Sequence, residues 1–265
     1  LKLGEEEVPL FHELVFLSKS EKGYKNLIKI LSRSFLDHPD HTEPYTTFQE
    51  LERLNEDMIV LTGGVKGGVA DYLLRKDPKT AEAYLEKLHT LFESNLYVEI
   101  HRFGILGEAE TEEDLINLAY KHTIPLVATN EAFFIDEDQY TAHDALRCIA
   151  LGSYVYAPDR VRLTPHHRLK SEAEMVEIFK DLPEALASTV QIAQRCHYLL
   201  EPLPPALPPF KTEKGEDEEL RLQSEKGLQR RLERQVFTSD MSEDQKDEVK
   251  KKYGDRLAFE MNVIH

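Results

Sequence analysis

Short apolar runs separated by amphipathic stretches fill the first two thirds of the chain. Leu14 to Leu17, Met58 to Leu61, Leu96 to Ile100 and Ile124 to Thr129 are runs of strand length. Between them apolar positions recur at helical spacing. Leu27, Ile30, Leu31 and Ser34 share one face of a run that Gly23 opens and Pro39 closes. Thr47 stands three residues before Glu50, as a helix N-cap does. Asp77-Pro78 opens another helix, and Ala81, Tyr84, Leu85, Leu88, Leu91 and Phe92 form its buried stripe. Thr111 caps a further helix that buries Leu115, Leu118 and Ala119. Apolar strands alternating with amphipathic helices predict an α/β fold, with a mainly parallel sheet covered by helices.

After Asp136 the pattern turns helical. Tyr140 to Leu151 reads as one helix, and Ser171 with Glu174 forms a capping box for the next, whose Met175, Phe179 and Leu182 face the core. Pro183 starts a helix carrying Leu186, Val190 and Ala193. Glu201 to Phe210 then holds five prolines in ten residues, the composition of a stiff linker. Beyond it, Glu216 to Gln235 and Glu243 to Ile264 read as two charged helices. In the second, Val249, Tyr253, Leu257, Met261 and Ile264 make a narrow apolar stripe. Such stripes are too narrow to build a core alone. The expected organisation is one domain over residues 1–200, a linker over 201–210 and a helical segment over 211–265. The last pattern stops without a cap, as in a fragment.

Charge narrows the function. Acidic residues exceed basic ones so far that the formal net charge is −16. Nucleic-acid binding takes most of its affinity from neutralised phosphates, so this piece is a poor DNA binder by itself. No run of 18 apolar residues would span a membrane, and Leu1 to Pro9 is charged rather than signal-like. Two distant cysteines, Cys148 and Cys196, form neither a disulfide framework nor a zinc cluster and suit a reducing cytoplasm.

No Gly-x-Ser-x-Gly elbow is present. Gly63-Gly64-Val65-Lys66-Gly67-Gly68 follows a strand and precedes a helix, where phosphate loops sit, but it lacks the Lys-Ser/Thr ending. It reads as a tight turn needing positive φ. Among 11 histidines, His38 and His41 share a loop with Asp37 and Asp40, His166 and His167 are adjacent, and His143 precedes Asp144. None has a second partner at metal-ligand spacing, so solvated or capping roles are expected. Glu5 to Glu7 and Glu216 to Glu219 read as solvated acidic faces. Arg230, Arg231, Arg234 and Lys250 to Lys252 are largely offset by Glu233, Asp247 and Glu248.

Several segments, in order, resemble the N-terminal region of the alpha subunits of bacterial DNA polymerase III, the replicative C-family polymerases. Glu13 to Leu27 is similar to the family's strand and its Gly-Tyr-x-Asn-Leu helix. Ile59 to Gly64 resembles the next strand and glycine turn. Leu126-Val-Ala-Thr-Asn130, Ala142-His-Asp144, Leu182-Pro-Glu-Ala-Leu186, Gln191-Ile-Ala-Gln-Arg-Cys196 and Leu207-Pro-Pro-Phe210 continue the likeness.

The resemblance implies a PHP domain, a distorted (β/α)7 barrel that can hold a cluster of metal ions. Here it would be incomplete, because the family's first His-x-His motif would precede Leu1. Against the ligand positions of metal-binding members, Glu13 stands for His and Gly64 for Cys, while Glu131 and Phe133 stand for the Asp and His of Asp-x-His. Losing nitrogen and thiolate ligands dismantles a transition-metal site. The resemblance therefore implies a barrel with no catalytic, cofactor-binding or metal residues, followed by the start of the polymerase core. The core's magnesium-binding palm would lie beyond this chain. Such a domain would support the rest of the alpha subunit and offer a surface to the proofreading exonuclease subunit. DNA would be met only through the full enzyme. Two rival readings are an active metal-dependent phosphoesterase of the same superfamily and a free-standing acidic binding module.

Overall fold

In a computed structural model the chain forms two compact units, Leu1–Leu200 and Glu201–His265. The residues described are 2–3, 6–7, 11–37, 43–158, 160, 162–202, 204–205 and 208–264. His38, Pro39, Asp40 and His41 lie outside them, as do Glu5 and Leu207.

The first unit opens with a two-stranded antiparallel pair, β1 (Lys2–Leu3) and β2 (Glu6–Glu7). Its main sheet has four strands in the order β3 (Val15–Ser18), β4 (Met58–Leu61), β5 (Leu96–Ile100) and β6 (Leu126–Ala128). Every residue of β4, β5 and β6 is buried. Side chains alternate across the sheet. On one face Met58, Val60, Leu96, Val98, Ile100, Leu126 and Ala128 join the main core. On the other, Ile59, Leu61, Tyr97 and Val127 meet Ile192. The pairs β4–β5 and β5–β6 are parallel, as the alternation of strands and helices predicts. β3 runs antiparallel to β4, with Val15 opposite Leu61. This reversal sets the N-terminal end of β3 beside the C-terminal end of β4.

Helices α1 (Glu21–Leu36) and α2 (Phe48–Leu54) connect β3 to β4. Ser20 caps α1 by accepting from the Gly23 amide, and Thr47 caps α2 by accepting from Glu50. In α1 Asn26, Ile30 and Ser34 are buried, whereas Leu31 is exposed. Gly23 explains the rotation: a Cβ there would lie 2.1 Å from the Asp57 carbonyl oxygen, so the helix meets the β4 approach through its glycine side.

Helices α3 (Gly68–Leu74) and α4 (Pro78–Phe92) precede β5, and α5 (Glu108–Lys121) precedes β6. Asp77 caps α4 and Pro78 occupies its first turn. Ala81, Leu85, Leu88 and Phe92 are its buried stripe, each large side chain stabilising by about 1.5–3 kcal/mol. Thr111 does not cap α5. The helix begins a turn earlier at Gly107, whose φ is +93°, and the buried Thr111 hydroxyl donates to the Gly107 carbonyl 2.8 Å away.

Then come α6 (Tyr140–Ala150), α7 (Glu172–Ile178) and α8 (Pro183–Arg195). In α8 the buried residues are Ala185, Ser188 and Ile192; Val190 and Ala193 are exposed. Small side chains let this helix approach the sheet closely, so its buried face is not its most apolar stripe. Arg102 ties the region together, donating to Glu112 at 2.6 Å and Asp181 at 2.7 Å. Its bonds hold the Asp181 carboxyl down at about 2. The Ser171–Glu174 capping box of α7 is formed in both directions. Ser171→Ala is expected to lower stability by about 1 kcal/mol, measured by chemical denaturation.

In the second unit α9 (Glu216–Arg231) runs into a π-helical turn, Leu232–Val236, and α10 spans Glu243–Ile264. Acidic residues fill the first turn of α9, and Arg230 and Arg231 its last, matching the helix dipole. Leu232 is the unit's one buried residue among those described. A groove of about 840 Å³ runs between the helices, lined by Leu228, Leu232, Phe237, Leu257 and Met261 among others. Tyr253 and Ile264 of the expected stripe are exposed.

Candidate functional site

Strand ends of the four-stranded sheet converge on a cleft of about 180 Å³. Parallel strands deliver the residues that follow them to one end of a sheet, where sites form. β4 leads into Gly63 and Gly64, with φ of +81° and +52°, and then a 3-10 turn that presents Lys66. β5 contributes Glu99 and leads to His101; β6 is followed by Thr129, Asn130 and Glu131. Because β3 is reversed, Glu13 arrives at the same mouth from the start of its strand.

Glu99 organises the floor. It is 4% exposed and accepts from the Thr129 hydroxyl at 2.7 Å and the Gly63 amide at 3.1 Å. His101 Nε2 lies 3.1 Å from Glu99 Oε1, the same oxygen that accepts from Thr129. Burial pushes the Glu99 carboxyl up, but the His101 contact, the Thr129 hydroxyl and the Gly63 amide outweigh it. The net shift is below the ordinary value. Gly64 is required by this packing, since a Cβ on it would lie 2.2 Å from His101 Nδ1. At the rim, Lys66 Nζ lies 3.2 Å from Glu131 Oε1 and 3.6 Å from Glu13 Oε2.

A second layer covers one side of the mouth. The Phe133 amide donates to the His167 carbonyl, and the Leu169 amide to that of Phe134, so residues 133–134 run along 167–169. Lys170 Nζ donates to Asn130 Oδ1 at 2.6 Å, and Asn130 Nδ2 to the Arg168 carbonyl. His166 points outward while His167 is 1% exposed; burial pushes the His167 pKa down, favouring the neutral ring. Burial likewise lowers that of Lys170. The half-exposed Phe133 ring packs near His143 and His167, with centroids 5.7 and 6.0 Å apart. Glu108 anchors the loop after β5, accepting from the amides of Phe103, Gly104 and Ile105.

The structure thus brings Glu13, Gly64 and Glu131 to one mouth and sets Phe133 against its histidine flank. Lys66, Glu99 and His101 are the residues that sequence reasoning missed. Lys66 and Glu99 meet partners about 30 or more positions away, and the Glu99–His101 pair, two positions apart, has no distinctive spacing; the glycine turn was the one available signal. His143 closes the first turn of α6, and Asp144 follows it and pairs with Arg160. Among the described residues, one further group has metal-ligand geometry: Glu82 and Glu86 of α4 with His122. His122 Nε2 is 2.7 Å from Glu82, and the Lys121 ammonium is 2.5 Å from the same carboxylate oxygen, supplying positive charge there already.

Comparison with known proteins fits this arrangement. The PHP domain family matches residues 5–103. Over that stretch, which carries β3, β4 and β5, the chain is similar to PHP domains. The chain is 38% identical over 253 residues to DNA polymerase III subunit alpha of Caulobacter vibrioides, covering 95% of this chain and 21% of that relative. It is 34% identical over 259 residues to that of Rickettsia bellii (97% and 22%), and 35% over 263 residues to that of Pseudomonas aeruginosa (98% and 22%). Over the section it shares with them, the chain is similar to the DNA polymerase III alpha subunits. It spans about a fifth of the length of these curated relatives. Among the described residues, no helix is long and apolar enough to cross a membrane.

Proposed function

We propose that this chain is a section of a cytoplasmic bacterial replicative DNA polymerase, and that the section itself is structural rather than catalytic. The parent enzyme would extend DNA on a template from deoxynucleoside triphosphates, with magnesium held by palm carboxylates. In this reading the PHP domain runs to about residue 200, and α9 and α10 begin the polymerase core. The domain supports that core and offers a surface to the proofreading exonuclease subunit. A net charge of −16 suits protein partners better than DNA, which is met through the whole enzyme.

The observation that carries the structural role is the donor set at the mouth. A transition-metal cluster takes imidazole, thiolate and carboxylate ligands converging on open positions. Here Gly64 has no side chain and is backed by the His101 ring, Phe133 offers no donor, and His101 is engaged by Glu99. The two remaining carboxylates, Glu13 and Glu131, face an ammonium.

The test is elemental analysis of the purified chain, together with turnover of a generic phosphate ester with and without chelator. The expected result is no stoichiometric metal and no chelator-sensitive turnover. Hydrolysis abolished by chelator would overturn the reading in favour of a metal-dependent phosphoesterase.

A further inference from the structure

We propose that Lys66 is the resident cation of the strand-end mouth: its ammonium pairs with both Glu13 and Glu131, offsets one of their two charges and competes with divalent ions for the rim. This rests on the reading above that the mouth holds no metal cluster, and it identifies what holds the acidic rim together instead.

The argument starts from charge. Glu13, Glu99 and Glu131 bring three carboxylates from the approach to β3, from β5 and from the residues after β6 to one small cleft, where like charges call for a counter-charge. Glu99 is served locally by His101, the Thr129 hydroxyl and the Gly63 amide. Among the described residues the two rim carboxylates have no such arrangement; each faces Lys66 Nζ, Glu131 at 3.2 Å and Glu13 at 3.6 Å. The backbone sets the lysine there. Left-handed Gly63 and Gly64 turn the chain sharply after β4, and the Lys66 carbonyl accepts from the Glu13 amide at 3.1 Å. That bond ties the turn to the start of β3, so the lysine and Glu13 share one position whatever the side chain does. The Lys66 side chain is 47% exposed and Glu131 34%, so the site is open to ions from solvent. An open site with two carboxylates attracts divalent cations unless a fixed positive charge lies between them.

The experiment is Mn²⁺ titration of the full chain, followed by electron paramagnetic resonance, for wild type, Lys66→Arg, Lys66→Ala and Lys66→Ala/Glu131→Gln. The backbone bond of residue 66 survives these substitutions, and circular dichroism and thermal melting confirm that each variant is folded. Lys66→Ala is expected to bind Mn²⁺ about tenfold or more tightly than wild type, because a unit charge a few ångströms away is removed. Lys66→Arg should behave as wild type, and the double variant should lose the gained binding. If neither wild type nor Lys66→Ala binds, lysine is not what excludes the ion, and the inference falls while the metal-free reading stands. If wild type already binds as tightly as Lys66→Ala and the double variant loses that binding, both fail together.

Discussion

Replacing Gly67 with alanine is expected to destabilise the first unit by about 3 kcal/mol or more, which for a unit of this size lowers the melting temperature by roughly 6–12 °C. A Cβ on Gly67 would lie 1.7 Å from the Thr62 carbonyl oxygen and 3.2 Å from that of Gly64. Both obstacles are backbone, so no rotamer change relieves them. The turn cannot move away cheaply. Thr62 is 2% exposed, its hydroxyl accepts from the Glu99 amide, and its own amide donates to Tyr97 in the next strand. The same displacement would shift Gly64 against His101 and carry Lys66 off the rim. Denaturant unfolding followed by tyrosine fluorescence and far-ultraviolet dichroism measures the effect. A variant melting within 2 °C of wild type, or about 1 kcal/mol, would show that the turn is looser than these distances say.

Glu99→Ala is expected to cost about 3 kcal/mol, since it strands the buried Gly63 amide and leaves the Thr129 hydroxyl and the His101 ring without their partner. Glu99→Gln keeps the shape and the acceptor oxygen, so its cost should be smaller and should depend on pH. The sign follows from the lowered carboxyl. A group whose folded pKa lies below its unfolded value stabilises the fold above the unfolded value. That stabilisation is lost as pH falls through the folded one. The Glu99 carboxyl is lowered in the folded chain, so the advantage of wild type over Glu99→Gln should be full near neutrality. It should shrink on the acid side, below the ordinary glutamate range of about 4. Denaturation curves at several pH values would show it. A difference unchanged from neutral pH to strong acid would mean that the carboxylate carries no net favourable interaction with His101.

Much of the fold could be read from local pattern. β4 and β5 fall on the residues that their apolar runs mark out, and the caps at Thr47, Asp77 and Ser171 form as expected. Each is a property of a few adjacent residues: a run too apolar to be exposed, or a short polar side chain beside unpaired amides. The errors have a common origin. Leu31 in α1 and Val190 with Ala193 in α8 are apolar yet exposed, while Ser188 is buried. Thr111 looked like a cap and lies inside its helix, because a left-handed glycine started that helix earlier. In each case the choice of buried face or first turn was made by a neighbouring segment.

The order of strands and helices and the glycine turn after β4 were determined by the sequence alone, because each depends only on residue type and near neighbours. The reversal of β3 and the meeting of Glu13, Lys66, Glu99, His101 and Glu131 were decided by tertiary structure. Strand direction is settled by which edge completes the sheet, and only once the strands lie side by side do carboxylates separated by tens of residues become neighbours that need a common counter-charge.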